Sequence, residues 1–265
     1  MYSPFTIARK YLLYRLRAAN GKGHGIHSPF VFDFVIHVLN GKSDAGVVKQ
    51  IESRRSSLLA DKTTIEVEDF GAGSAVIRSN QRRVDKIAAS SLKAPKYAQL
   101  LNRIAAYYKP AVMLELGTSL GITAAYLASG NPKGKLYTLE GSSAIAAIAR
   151  QSFSSFNLTN IELHEGDFTT SLPVLLNELP AIDLAFVDGN HRKKPTLDYF
   201  HLLLGKLKQS SVFIFDDIHW SAEMEEAWEE IRKHPAVTLS IDLFFIGLVF
   251  FDPSIKVKQE FVIQF

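Results

Sequence analysis

From about Lys96 to Asp252 the chain alternates short β-branched or apolar runs with longer segments of helical length and composition. That alternation limits the fold more than any other feature. The runs lie at residues 111–116, 135–139, 160–164, 182–187 and 212–215, and the helical segments at 122–129, 142–156, 172–179, 195–208 and 221–234. Strand then helix, repeated, builds βαβ units, which need a parallel sheet covered on both faces. The stretch VTLSIDLFFIGLVFFD breaks the pattern and reads as two strands about a tight turn at 242–247. Five runs and two hairpin strands predict an α/β fold: a doubly wound, mainly parallel, seven-stranded sheet with a C-terminal antiparallel hairpin. Residues 1–95 read as a mostly helical N-terminal extension, and 96–265 as the α/β domain.

Composition narrows the setting. Of 265 residues, 47% are hydrophobic and 22% charged, enough apolar material for a sizeable core. No apolar run approaches the ~18 residues of a membrane-spanning helix. The opening MYSPFTIARKYLLYRLR mixes basic and apolar residues without an unbroken apolar centre, so a signal peptide is not expected. The absence of cysteine excludes disulfides and thiolate metal sites and fits a cytoplasmic protein. A net charge of +3 is too small to argue for nucleic acid.

In a parallel sheet of this kind, ligands bind beyond the carboxyl ends of the strands. The first regular strand ends in Glu115-Leu116-Gly117-Thr118-Ser119-Leu120-Gly121, followed by a helix. Gly117 permits a sharp turn and close approach of a ligand to the backbone. Gly121 is expected to let the helix start pack tightly against the strand. Thr118 and Ser119 are expected to cap the helix or donate to a carboxylate at its N-terminus. The second strand ends in Glu140, 23 positions after Gly117, where an acid receives both hydroxyls of a ribose. The third delivers Gly166-Asp167-Phe168, whose acid can accept from an adenine amino group. The spacing GTSLG differs from the G-x-G-x-x-G that seats a pyrophosphate, which argues against a dinucleotide-dependent oxidoreductase. A second glycine turn, DFGAGS at 69–74, has no strand ending in an acid about twenty residues on, and reads as a structural or substrate-side loop.

Taken in order, MLELGTSLGITAAYLA, LYTLEGS, HEGDF, IDLAFVDGNH and VFIFDDIHW resemble the successive motifs of class I S-adenosylmethionine (SAM)-dependent methyltransferases. Within that Rossmann-like class they are similar to the catechol and caffeoyl-CoA type O-methyltransferases and related bacterial enzymes. The resemblance covers roughly Lys96 to Asp252. It implies SAM as cofactor, with Glu115 and Gly117 meeting its methionine part, Glu140 the ribose and Asp167 the adenine. The plainer roles for the two acids are a helix N-terminus for Glu140 and an N-cap for Asp167.

The later strands end in Asp188-Gly189-Asn190-His191 and Asp216-Asp217-Ile218-His219. Neighbouring strand ends lie about 4.8 Å apart, which would bring three carboxylates together as hard oxygen ligands for Mg²⁺, Mn²⁺ or Ca²⁺. The resemblance places metal ligands at Asp188, Asp216 and Asp217, the last usually asparagine in the family. A different arrangement using His219 is the alternative. Without a metal, Asp216 and Asp217 cap the helix near Ser221, and Asp188 touches only SAM. The family's general base is a lysine three residues beyond the first metal aspartate; here that position is His191, a competent base for a hydroxyl. Lys193 and Lys194 are substitutes nearby. The expected reaction is O-methylation of a small hydroxylated acceptor. No N/D-P-P-Y/F follows the fourth strand, which speaks against base methylation of nucleic acid. Methyl transfer to RNA or protein and a non-catalytic SAM-binding module are the other readings.

In the N-terminal third, His24, His27 and His37 lack an acidic partner pattern and read as structural. The basic, amphipathic stretch 5–19 is suited to packing on the domain or on a second subunit of a homodimer, with membrane or RNA contact as the alternatives. Related enzymes imply a lid role for residues 1–95.

Overall fold

The structure, a computed structural model, describes residues 1–68 and 80–265. The glycine turn at 69–74 lies outside the described residues. In chain order the first elements are helices α1 (Pro4–Arg17), α2 (Pro29–Phe34, continuing into a π turn Val35–Leu39) and α3 (Ala45–Ala60). Strands β1 (Thr64–Val67) and β2 (Asn80–Arg83) and helices α4 (Val84–Ser91) and α5 (Pro95–Tyr108) follow. The alternating part then runs β3 (Val112–Leu116), α6 (Ile122–Gly130), β4 (Lys135–Glu140), α7 (Ser143–Ser155), β5 (Ile161–Glu165) and α8 (Phe168–Glu178). It continues through β6 (Ile182–Val187), α9 (Lys193–Leu204), β7 (Leu207–Asp216) and α10 (Ala222–Lys233). The chain closes with β8 (Leu239–Asp242), β9 (Ile246–Phe250) and β10 (Gln259–Val262). The fold is α/β and mostly parallel, as expected.

The chain divides into two compact units, one of Lys42–Glu178 and one of Met1–Gly41 with Leu179–Phe265. In the first, β3, β4 and β5 run parallel, with Glu115 opposite Thr138 and Glu140 opposite Glu165. Helix α6 carries seven buried residues in succession, Ile122 to Ala128. A helix apolar all round can only be an interior element, so the segment after the glycine turn is held rigidly. Leu120, Ile122, Ala125 and Tyr126 belong to one core cluster with Ile51 and Leu58 of α3.

In the second unit the strand order is β10-β8-β9-β7-β6. β6 and β7 are parallel, and β7, β9 and β8 are successively antiparallel, which is the expected hairpin. Among the described residues β10 adds a strand beyond the seven expected, pairing parallel with β8. Its alternate residues are exposed, so backbone pairing rather than an apolar run defines it. Helix α1 is fastened to the end of the chain. Tyr2 N donates to Trp220 O at 3.0 Å, Ala19 N to Val262 O at 2.8 Å, and the Tyr14 hydroxyl to Ile263 O. Lys10 Nζ reaches both Glu225 oxygens at 2.9 Å, and Tyr11 meets Phe244 edge to face at 5.0 Å. The amphipathic stretch therefore packs one of its faces on the domain. Gly23 and Gly25 take left-handed φ of 92° and 80° in the loop that carries His24 and His27.

Candidate active site

The turn after β3 is closed by the strand beside it. Gly117 N and Thr118 N both donate to Leu139 O, at 3.0 and 3.1 Å. Gly117 has φ 98° and Gly121 φ 84°, conformations that glycine adopts without steric cost. A Cβ on Gly121 would lie 2.7 Å from Phe153 Cε1 and 3.2 Å from Ala149 Cα. The close neighbour is thus α7 rather than the preceding strand.

The hydroxyls of the turn do not cap α6, whose N-cap is Gly121 with no side-chain bond. Thr118 is buried and shares a 2.6 Å hydrogen bond with Thr138, whose hydroxyl also lies 2.6 Å from Glu115 Oε2. Ser119 serves through its backbone: its N–H donates to Glu140 Oε2 at 2.9 Å, while Ser142 N donates to Oε1 at 3.1 Å. Glu140 is therefore pinned at the strand end by two amides of flanking turns. Burial raises its pKa, against these backbone bonds, which favour the carboxylate. Thr138 was not singled out in the sequence, where it is one threonine in an ordinary strand.

Glu115 is fully buried, and its Oε1 has no hydrogen-bond partner among the described residues. Burial pushes its carboxyl up to about 7, with Thr138 and Thr123 acting in the opposite direction. An acid raised from the ordinary 4.5 to about 7 holds its proton in the folded state while the unfolded chain has already lost it. The folded state then binds more protons across that window, so stability falls as pH rises from about 4.5 to about 7. Urea unfolding of the ligand-free protein at about pH 5 and pH 8 is expected to differ by roughly 1–3 kcal/mol, and Glu115→Gln to reduce the difference. An unchanged pH dependence in Glu115→Gln would contradict the assignment.

Asp167 opens α8, its Oδ1 accepting from Thr169 N at 2.6 Å and from the Thr169 hydroxyl. The N-cap role that the sequence offered is present.

In the other unit, Asp188 follows β6, and His191 Nε2 stands 3.6 Å from its Oδ1, within ion-pair range once the ring is protonated. Between them Asn190 adopts φ 56°, with its Oδ1 buried and without a hydrogen-bond partner among the described residues. Lys193 pairs with Glu226 and Glu230 at 2.9 and 2.7 Å, and Lys194 with Asp198 at 2.6 Å. Asp216 is buried at the end of β7. Asp217 takes φ 51° and its N–H donates to Phe245 O at 2.7 Å. The capping role weighed for these two acids falls to Ser221, whose hydroxyl accepts from Met224 N at 3.2 Å. His219 bridges Glu225 and Asp242 at 2.9 Å each and stacks on Phe244. Burial lowers its pKa, but the two carboxylates outweigh it and the net shift is upward. This is a structural clasp.

Among the described residues, no group of three or more His, Asp or Glu side chains gathers as a metal site. The same holds for His24, His27 and His37. Ser119, Asn190 and Asp217, at φ 48°, 56° and 51°, are non-glycine residues in left-handed backbone, one on the loop after each of β3, β6 and β7.

Residues 114–218 match the family model described as Methyltransferase domain. No curated protein sequence matches the chain. Among solved structures, an O-methyltransferase from Bacillus cereus in complex with SAH aligns at TM-score 0.56 and 20% identity, over 78% of this chain and 92% of that one. A SAH-bound Podospora anserina methyltransferase aligns at TM-score 0.59 and 14% identity, over 95% and 97%. An O-methyltransferase from Streptomyces achromogenes, involved in tomaymycin synthesis and solved with SAM, aligns at 0.54 and 18%, over 84% and 95%. Residues 114–218 are thus similar to that methyltransferase family, and the chain shares the fold of these SAH- and SAM-bound methyltransferases.

Proposed function

We propose that the chain is a SAM-dependent O-methyltransferase acting on a small hydroxylated molecule. The observation that carries this reading is Glu140, a half-buried carboxylate fixed at the end of β4 by Ser119 N and Ser142 N. An acid so held can receive both hydroxyls of a ribose without moving. Glu115, buried with Oε1 unsatisfied, suits the ammonium of a methionine moiety, and Gly117 leaves room for its chain. Asp167 faces the adenine in this reading. SAM supplies a methyl group on a sulfonium that departs as a neutral thioether, so no acid is required.

The residues at the ends of β6 and β7 serve the acceptor. His191, whose Nε2 lies 3.6 Å from Asp188 Oδ1, takes the hydroxyl proton, and Asp188 stabilises the imidazolium that results. Alignment of acceptor and methyl group can supply a large share of the acceleration, on the order of 7–11 kcal/mol in favourable cases. Calorimetry with SAM, followed by SAH release from a panel of catechol-like acceptors, tests the proposal. Absence of SAM binding overturns it.

In this reading Asp188, Asp216 and Asp217 are given no metal-dependent step, since among the described residues no group of three or more His, Asp or Glu side chains gathers as a metal site. The expected result is that about 1 mM EDTA leaves the rate unchanged within roughly twofold, since no Lewis-acid contribution is then removed. A rate abolished by EDTA and restored by Mg²⁺ would contradict this part and leave SAM dependence standing.

A further inference from the structure

Helix α1 has two apolar faces, and only one is used. Its inner side carries Tyr11 and Tyr14, packed on Phe244. Its outer side exposes Phe5 at 80%, Leu12 at 61% and Leu16 at 75%. At 100° per residue these three fall within about 40° of arc, a continuous stripe along a helix about 21 Å long. Arg9 lies beside the stripe, with Arg15 and Arg17 flanking it at about 80° and 120°; all three are exposed. Residues 1–32 contain no Asp or Glu, while Lys10 is already engaged with Glu225.

We infer that α1 is a peripheral docking surface for an anionic lipid membrane, lying flat with Phe5, Leu12 and Leu16 in the headgroup boundary and the arginines on lipid phosphates and carboxylates. An exposed apolar stripe edged by cations, on a helix without acids, matches that surface in both hydrophobicity and charge. A second copy seated stripe to stripe would bring arginine against arginine with no acid on the helix to pair them. RNA would answer the arginines but leave the leucines in water. The inference stands apart from the choice of cofactor and acceptor.

Co-sedimentation of the full chain with vesicles tests it, comparing pure phosphatidylcholine with a mixture containing about 30% phosphatidylserine. The protein is expected to bind the anionic vesicles at about 50 mM salt and to release at about 300 mM. Leu12→Ser with Leu16→Ser should weaken binding at least roughly tenfold. Arg15→Ala with Arg17→Ala should weaken it about twentyfold, near fivefold per arginine. These side chains are exposed, so thermal unfolding should not move. Leu12→Trp should retain binding, with fluorescence shifted to the blue on the anionic vesicles. No binding to anionic vesicles at low salt overturns the inference, as does equal binding by the Leu12→Ser/Leu16→Ser variant. A dimer in sedimentation velocity that the same variant dissolves would assign the stripe to a second copy. RNA binding without vesicle binding would assign the arginines to nucleic acid.

Discussion

Gly121→Val is expected to destabilise the protein by about 2–5 kcal/mol and to abolish SAM binding. Two costs add. A left-handed backbone at φ 84° is strained for any residue with a Cβ, by roughly 1–2 kcal/mol, and a β-branched one is the worst case. The new Cβ also meets Phe153 Cε1 at 2.7 Å and Ala149 Cα at 3.2 Å, in a core that yields only by about 1–3 kcal/mol of repacking. Phe153 can swing away, whereas the Ala149 backbone cannot. In a Phe153→Leu background the penalty of Gly121→Val should therefore shrink without vanishing. Urea midpoints of the four proteins, at constant m, read this out. A Gly121→Val protein as stable as the parent would show that the turn is not locked as described.

Glu140→Ala is expected to weaken SAM binding by on the order of a hundredfold, equivalent to about 2–3 kcal/mol for a lost pair of charge-assisted hydrogen bonds. The same carboxylate holds Ser119 N and Ser142 N, so its loss also loosens the turn. Glu140→Gln separates the two effects. It keeps an oxygen for one amide and a similar shape, but presents an NH₂ to one ribose hydroxyl. Stability in Glu140→Gln should stay closer to the parent than in Glu140→Ala, while affinity stays low. If both variants bind SAM as the parent does, Glu140 is only a fastener of the two turns.

Much of the fold was written in hydrophobic pattern. β6 begins and ends where its apolar run does, at Ile182 and Val187. β7 extends further back than its apolar run, to Leu207, because Lys208-Gln209-Ser210-Ser211 is held by bonds rather than by burial. Lys208 N donates to Ser211 Oγ, and Ser211 Oγ to Ile182 O, at a register shift against β6. The preceding helix ends at Leu204, with Gly205 as its C-cap, rather than at 208. β10 was missed for a related reason, as its pairing with β8 is carried by backbone in a half-exposed QEFV segment.

The candidate site divides along the same line. Glycines and acids at strand ends were legible, because only those residue types tolerate the turn or answer a diol. Backbone donors were not. The amide of Ser119 fixes Glu140, yet no side chain announces it. Thr138 was invisible because a strand threonine carries no motif, although it ties Thr118 to Glu115. The capping role that is the metal-free alternative for Asp216 and Asp217 falls instead to Ser221.

The central claim is that the Glu115–Gly121 turn, with Glu140, holds SAM. Native mass spectrometry of freshly purified protein, incubated with an equimolar mixture of SAM and NAD⁺, tests it most directly. One SAM or SAH per chain is expected, with no nicotinamide dinucleotide and with loss of the adduct in Glu140→Ala. Retention of the dinucleotide with no SAM bound would contradict it.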